Sequence, residues 1–201
     1  MPAAPASADR ILATGDSMMY VMQDELAQAL RERGHEVTVD GRFGTGLTKP
    51  WILDWTKHAH AQVRGSRPDV TFMFLGGNDL FPIAGASCCG RAWVQGYVRR
   101  VRRLVRIYGR TIWMTLPTPR DRGLAKGFRR VNLAVRRAVR REPRAQLLDL
   151  VPAITPGRRY RRRMRRDGER VFLRQMDGVH LWGAGVQIAV EMAVDALHTG
   201  A

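Results

Sequence analysis

The chain has 201 residues, 45% hydrophobic and 26% charged, an ordinary globular composition that argues against wholesale disorder. That length favours one domain, able to bury roughly 70% of the surface its unfolded form exposes without disulfide or metal staples, and no run of about 18 apolar residues exists to make a transmembrane helix. The formal net charge of +16 is regional: residues 91–170 hold 25 Lys and Arg against 5 Asp and Glu, while the remainder holds 9 against 13.

Residues 1–9 read as a flexible Pro/Ala-rich segment. Ala6-Ser7-Ala8 has the small-x-small form of a signal cleavage site, but no apolar core precedes it. The expectation is either a cytoplasmic chain or the mature form of an exported, envelope-associated one. Residues 10–198 read as a single domain. Arg10 to Thr14 is a short apolar strand ending in the turn Gly15-Asp16-Ser17. Met18 to Arg33 carries apolar residues at helical spacing, and Gly34 stops the helix. Val37 to Arg42 reads as a strand leading into a glycine loop, Gly41 to Gly46. Trp51 to Val63 is predicted helical. Val70 to Leu75 is the strongest strand signal, closed by Gly76-Gly77. Trp93 to Tyr108 is a helix with a stripe at Val94, Tyr97, Val101, Leu104 and Tyr108. Thr111 to Leu116 is a strand stopped by Pro117. Phe128 to Arg141 is a second basic helix, Gln146 to Leu150 a strand, and Val186 to Leu197 a closing helix.

This is an alternation of β and α, five times over. The strands lack strict two-residue alternation, so both their faces are buried, which requires a parallel sheet covered by helices. Ligands of such sheets bind beyond the carboxyl ends of the strands. The segments leaving those ends, Gly15-Asp16-Ser17, Gly44-Thr45-Gly46 and Gly76-Gly77-Asn78-Asp79, are therefore expected to meet on one edge.

A serine at a strand-to-helix turn needs a base before it can attack a carbonyl. His180 is the candidate, three residues after Asp177 in Asp177-Gly178-Val179-His180. The glycine between them lets the carboxylate reach back to the imidazole, fix its tautomer and stabilise its charged form. A developing oxyanion would need donors, here the Ser17 N–H, a glycine N–H from the second loop and the Asn78 amide.

These four blocks together resemble the SGNH hydrolases, also called GDSL esterases and lipases, over about residues 10–198. The resemblance implies a flavodoxin-like three-layer α/β/α fold with a five-stranded parallel sheet. It also implies hydrolysis or transfer of O-acyl groups with no cofactor and no metal. Carried over, Ser17 is the nucleophile, His180 the base, Asp177 its partner and Asn78 an oxyanion donor. Thr45-Gly46 aligns with the family's Ser-Gly pair, which favours Gly46 over Gly44 as the glycine donor. Asp79 would brace its loop and Asp16 the nucleophile turn. Met18 stands where the family usually has Leu. The stretch Leu47 to Trp55 resembles envelope-associated branches of the family.

The remaining chemistry-bearing residues read more plainly. His58 and His60 lie two apart on a helix and point different ways; they, His35 and His198 are expected on the surface. Cys88 and Cys89 are adjacent, about 3.8 Å apart at Cα, closer than an ordinary disulfide prefers, which excludes a disulfide framework; they are expected to be buried or to line an acyl pocket. Trp51, Trp55 and Trp93 read as core residues rather than a substrate platform. The arginines of 99–106 and 129–141 fall on the outward faces of amphipathic helices. Arg158 to Arg170 reads as either a solvated loop or a mobile flap gripping an anionic substrate.

The first functional reading is a serine esterase acting on a small-molecule or glycan O-acyl ester, with an anionic substrate suggested by the arginines. The second is an O-acyltransferase or deacetylase acting on a cell-envelope polysaccharide. The third, a basic nucleic-acid-binding module with a vestigial site, has only charge in its favour, since no recognition motif accompanies it.

Overall fold

The computed structural model describes residues 8–199. Residues 1–7 of the expected flexible segment lie outside those described, as does the side chain of His198. Five parallel strands, β1 (Arg10–Gly15), β2 (Glu36–Gly41), β3 (Val70–Phe74), β4 (Thr111–Met114) and β5 (Ala145–Leu148), form one sheet in the order β2-β1-β3-β4-β5. Every residue of β3 and β4 is buried, as strands covered on both faces require. Helices α1 (Ser17–Tyr20), α2 (Gln23–Arg31) and α7 (Ala184–Thr199) cover one face, and α3 (Trp55–Ser66), α4 (Arg91–Tyr108) and α5 (Arg122–Val139) cover the other; a short α6 (Leu150–Ile154) follows β5. Chain direction across the sheet reverses between β1 and β3, so the crevice for a ligand lies at their carboxyl ends.

Several boundaries differ from the sequence expectation for identifiable reasons. The helix expected from Met18 to Arg33 is two helices, broken at Val21–Met22. There Gly41 packs on the Tyr20 backbone, where a Cβ would lie 2.7 Å from the Tyr20 Cα, and its N–H donates to Gln23 Oε1 at 2.9 Å. The apolar spacing runs straight through this break and carries no mark of it. Helix α3 begins at Trp55 rather than Trp51 because Asp54 caps it, accepting from the N–H of Thr56 and Lys57. Helix α5 begins at Arg122, six residues earlier than expected, capped by Asp121 on the Leu124 N–H. Its glycines obscure that start. Gly127 is required by packing, since a Cβ there would meet Leu80 Cδ2 at 2.3 Å.

The arginine-rich segment is neither plain loop nor unanchored flap. It forms an antiparallel hairpin, β6 (Arg163–Arg166) and β7 (Glu169–Phe172), turned by Asp167 and Gly168 at φ +50° and +85°, as two-residue hairpin loops demand. Arg166 ties it to Glu191 of α7 at 2.7 Å. Cys88 and Cys89 form no disulfide framework. The peptide between them is cis, their Cα atoms are 3.0 Å apart, and the two are joined as a disulfide. The bond closes a ring within its own two residues and links no separate elements. His58 is turned inward, 15% exposed, with Nε2 2.8 Å from Asp40 Oδ2, so it is not a surface histidine, and His35 is half-buried beside the Asp9 N–H. Trp55 and Trp93 are core residues, but Trp51 is 65% exposed.

At the far end of the α4–α5 pair, the buried Glu142 carboxylate accepts from Arg102 Nε at 2.6 Å and from Arg106 Nε at 3.1 Å. Burial raises its carboxyl, but the two guanidinium groups outweigh that and hold it below its ordinary range. A carboxyl lowered by folding stabilises above its unfolded value and loses that contribution as pH falls through the folded one. Glu142→Gln is therefore expected to cost about 1–2 kcal/mol at neutral pH, and the cost should shrink as pH falls below the ordinary carboxyl range. Paired denaturant titrations of both chains at pH 7 and pH 3.5 measure this.

Candidate active site

The turn that carries Ser17 is built by close backbone contact. A Cβ on Gly15 would lie 2.0 Å from the Phe74 carbonyl oxygen, so β1 and β3 approach here as only glycine permits. Asp16 then turns the chain into α1. Its fully buried carboxylate accepts from the Met18 N–H at 2.8 Å, the Gly76 N–H at 2.9 Å and the Gly77 N–H at 2.7 Å. One side chain thus caps the helix that carries Ser17 and ties it to the loop leaving β3. Burial pushes the Asp16 carboxyl up to about 6, against the pull of those donors.

Ser17, at the first position of α1 and 6% exposed, meets the last loop of the chain. Its Oγ lies 2.8 Å from His180 Nε2, and His180 Nδ1 lies 2.5 Å from Asp177 Oδ2. The other Asp177 oxygen accepts from the N–H of Val179 at 2.8 Å and of His180 at 3.1 Å. Partial burial raises the Asp177 carboxyl, but the His180 ring and those two N–H groups outweigh it and hold it below its ordinary range. Gly178, at φ +77°, makes the turn, its carbonyl accepting from the Arg120 N–H.

The other two blocks meet beside this line. Asp79 is buried and accepts from Thr48 N–H at 2.7 Å, Thr48 Oγ1 at 3.0 Å and Tyr97 Oη at 2.7 Å. Gly46 packs against it so closely that a Cβ would lie 2.4 Å from Asp79 Oδ1. Asn78 donates from Nδ2 to the Thr45 carbonyl at 3.0 Å, which leaves one of its two amide protons for another acceptor. Gly44, at φ +74°, stands in an open turn with nothing within 4 Å of where a Cβ would project, and its carbonyl takes the Lys49 ammonium at 2.6 Å. The two glycines thus differ in kind: Gly46 is packed at the junction of the loops, and Gly44 faces outward.

A family model described as "Protein of unknown function (DUF459)" matches residues 10–196. The chain belongs to the DUF459 family. No curated protein matches it by sequence. Its fold is that of the SGNH, or GDSL, hydrolases. It is similar to a GDSL-like lipase from Bacteroides thetaiotaomicron (TM-score 0.66, 10% identity, 98% of this chain and 93% of that one covered). It is also similar to a carbohydrate esterase family 3 protein from Talaromyces cellulolyticus (0.61, 16%, 94% and 96%). A third similar structure is a catalytic mutant of an acetylxylan esterase from Geobacillus stearothermophilus (0.61, 16%, 96% and 95%).

Around the site, this DUF459 chain places residues that no sequence motif marks. Phe43, 67% exposed, stacks on the His180 ring with centroids 6.0 Å apart, and Tyr20 meets it edge-on. On the Gly46–Asn78 side, exposed Trp51 meets Phe81 edge-on at 5.3 Å. Behind the histidine loop lies Arg174, 1% exposed and, among the described residues, without a carboxylate in an ion pair with it. It donates to the carbonyls of Val179 and Thr118, leaving Nε unpaired, and burial lowers its pKa to about 10. In the sequence Arg174 is one more arginine after a run of them. Among the described residues no group of three or more His, Cys, Asp or Glu side chains is placed to hold a metal ion.

Proposed function

We propose that the protein hydrolyses an O-acyl ester through an acyl-enzyme on Ser17. The unbroken line from Ser17 Oγ through His180 to Asp177, with links of 2.8 and 2.5 Å, carries this reading. His180 takes the Ser17 proton as the oxygen attacks the ester carbonyl, and Asp177 holds the resulting imidazolium. The oxyanion is received by the N–H groups of Ser17 and Gly46 and by the free Asn78 amide proton. Collapse expels the alcohol with the proton from His180. Water, activated by the same ring, then releases the acid and restores Ser17. Asp16 and Asp79 act as positioning residues that join the nucleophile turn and the Gly46 loop to the loop after β3.

The alcohol half is best read as a sugar. Exposed Phe43, stacked on the His180 ring, and the exposed pair Trp51 and Phe81 offer ring faces, and two of the similar structures are a carbohydrate esterase and an acetylxylan esterase. The acid product would then be short, as in deacetylation. Transfer of the acyl group to a second sugar hydroxyl uses the same acyl-enzyme. The nucleic-acid reading has charge in its favour, but a vestigial site has no reason to keep its relay hydrogen-bonded. A fluorophosphonate probe is expected to label Ser17 and no other residue, read by peptide mass spectrometry. Labelling that persists in Ser17→Ala would refute the assignment. With an acetylated xylooligosaccharide as donor, the split of labelled acetyl between water and an added glycan separates hydrolysis from transfer.

A further inference from the structure

The strongest feature left unused by the site is the basic face of α4 and α5. Beside the Asn78 loop lies a cavity of about 990 Å³, floored by Leu80, Leu116 and Phe128 and ringed by Lys126, Arg129, Arg130, Arg136 and Arg158. Its wall toward the site is Leu80, two residues after Asn78, seated on Gly127 of α5. Arg130 and Leu133 also border a second groove of about 900 Å³ between α4 and α5, which continues past Arg91, Arg99, Arg137, Arg140 and Arg141. The two grooves share Arg130 and Leu133, so they form one arginine-lined surface along α4 and α5, whose nearest approach in sequence to the Asn78 loop is Leu80.

Most of these cations have nothing to neutralise them. Arg102 shares Glu142 with Arg106, and Arg136 pairs with Asp149. Among the described residues, no carboxylate pairs with Lys126, Arg129, Arg130, Arg137, Arg140 or Arg141. Unpaired like charges on adjacent ridges repel one another and weaken the fold, a cost that a bound polyanion removes. Along α5 these cations stand in two groups, Lys126, Arg129 and Arg130, then Arg136 and Arg137, separated by the turn that carries Leu133. Guanidinium forks match planar carboxylates better than they match neutral hydroxyls.

We propose that this surface is the track for an acidic polysaccharide, whose uronate carboxylates it holds while an O-acyl group on the same chain is presented to Ser17. The choice of a polysaccharide and the presentation of its O-acyl group rest on the ester-hydrolase reading; the binding of a polyanion by these arginines does not. A polysaccharide is favoured over a nucleic acid because its sugar hydroxyls carry O-acyl groups, which a phosphodiester chain does not. The exposed rings of Phe43 and Trp51 suit sugar faces as well.

The test uses the full chain with Ser17→Ala, so that binding is read without turnover. Fluorescence anisotropy follows binding to labelled polygalacturonate and alginate, to neutral dextran, to single- and double-stranded DNA of similar length, and to phosphatidylglycerol vesicles, across a salt series. The expected result is binding to the uronate polymers at 150 mM salt at least tenfold tighter than to dextran and DNA, weakening as salt rises. Introducing Arg130→Glu, Arg137→Glu and Arg141→Glu together, with the fold checked by circular dichroism and Tm, should weaken it at least tenfold. In the chain with Ser17 intact, the same triple variant should lower at least tenfold the ratio of kcat/KM on acetylated polygalacturonate to that on 4-nitrophenyl acetate. No preference for uronate polymers over dextran, tighter binding to DNA or vesicles, or affinity untouched by the triple variant would each overturn the track. Absence of Ser17-dependent hydrolysis of 4-nitrophenyl acetate would instead overturn the esterase reading and leave the binding result to stand or fall separately.

Discussion

Ser17→Ala is expected to lower kcat for a short acyl ester by on the order of 10⁴- to 10⁶-fold, and Asp177→Asn by about 10⁴-fold, the scale of comparable losses in other serine hydrolases. The two variants fail for different reasons. The first removes the attacking oxygen. The second keeps the shape of the loop but reverses a donor: an amide N–H facing His180 Nδ1 puts the ring proton on Nε2, the atom that must accept the Ser17 proton 2.8 Å away. Ser17→Ala should leave Tm nearly unchanged, because the Ser17 hydroxyl is held only by His180. Initial rates with purified variants, together with Tm, decide the matter. Either variant retaining a tenth of the parent rate would remove the residue from the relay.

The largest expected loss of stability comes from Asp16→Ala. Three backbone N–H groups, of Met18, Gly76 and Gly77, end on this buried carboxyl. Truncation strands them where little water reaches, at about 1–3 kcal/mol for each donor left unpaired. Partial relaxation of the loop makes about 3–5 kcal/mol the expected total near pH 5. The pH dependence follows from burial, which raises this carboxyl to about 6. A group raised by folding binds its proton better in the folded chain, so its contribution is complete below the unfolded value and declines as pH rises through about 6. The loss caused by Asp16→Ala should therefore be larger at pH 5 than at pH 7.5. Chemical denaturation at both values tests this; a loss below 1 kcal/mol, or one that grows with pH, would contradict it.

The order of strands and helices was legible because a parallel sheet buried on both faces writes continuous apolar runs such as Val70 to Phe74, while amphipathic helices write a 3.6-residue stripe such as that of Trp93 to Tyr108. Boundaries were less legible. Asp54 and Asp121 act as caps only through hydrogen bonds to N–H groups that exist once the helix forms. The break at Val21–Met22 depends on β2, a distant segment, pressing on Tyr20. Trp51 and His58 exchanged their expected places because exposure belongs to the assembled surface, and each has the composition of either environment.

Local chemistry, then, was set by the chain itself: which turns need glycine, which serine opens a helix, which carboxylate lies three residues before a histidine, and where the positive charge concentrates. Only the folded molecule decided that residues 163 positions apart meet at 2.8 Å, that Gly46 is packed on Asp79 while Gly44 faces outward, and that arginines of two helices line adjoining grooves. The division has a physical cause. Turn geometry, capping and periodicity act over a few residues, whereas distances between loops are set by how the sheet twists and how the helices pack on it, and both depend on every buried side chain at once.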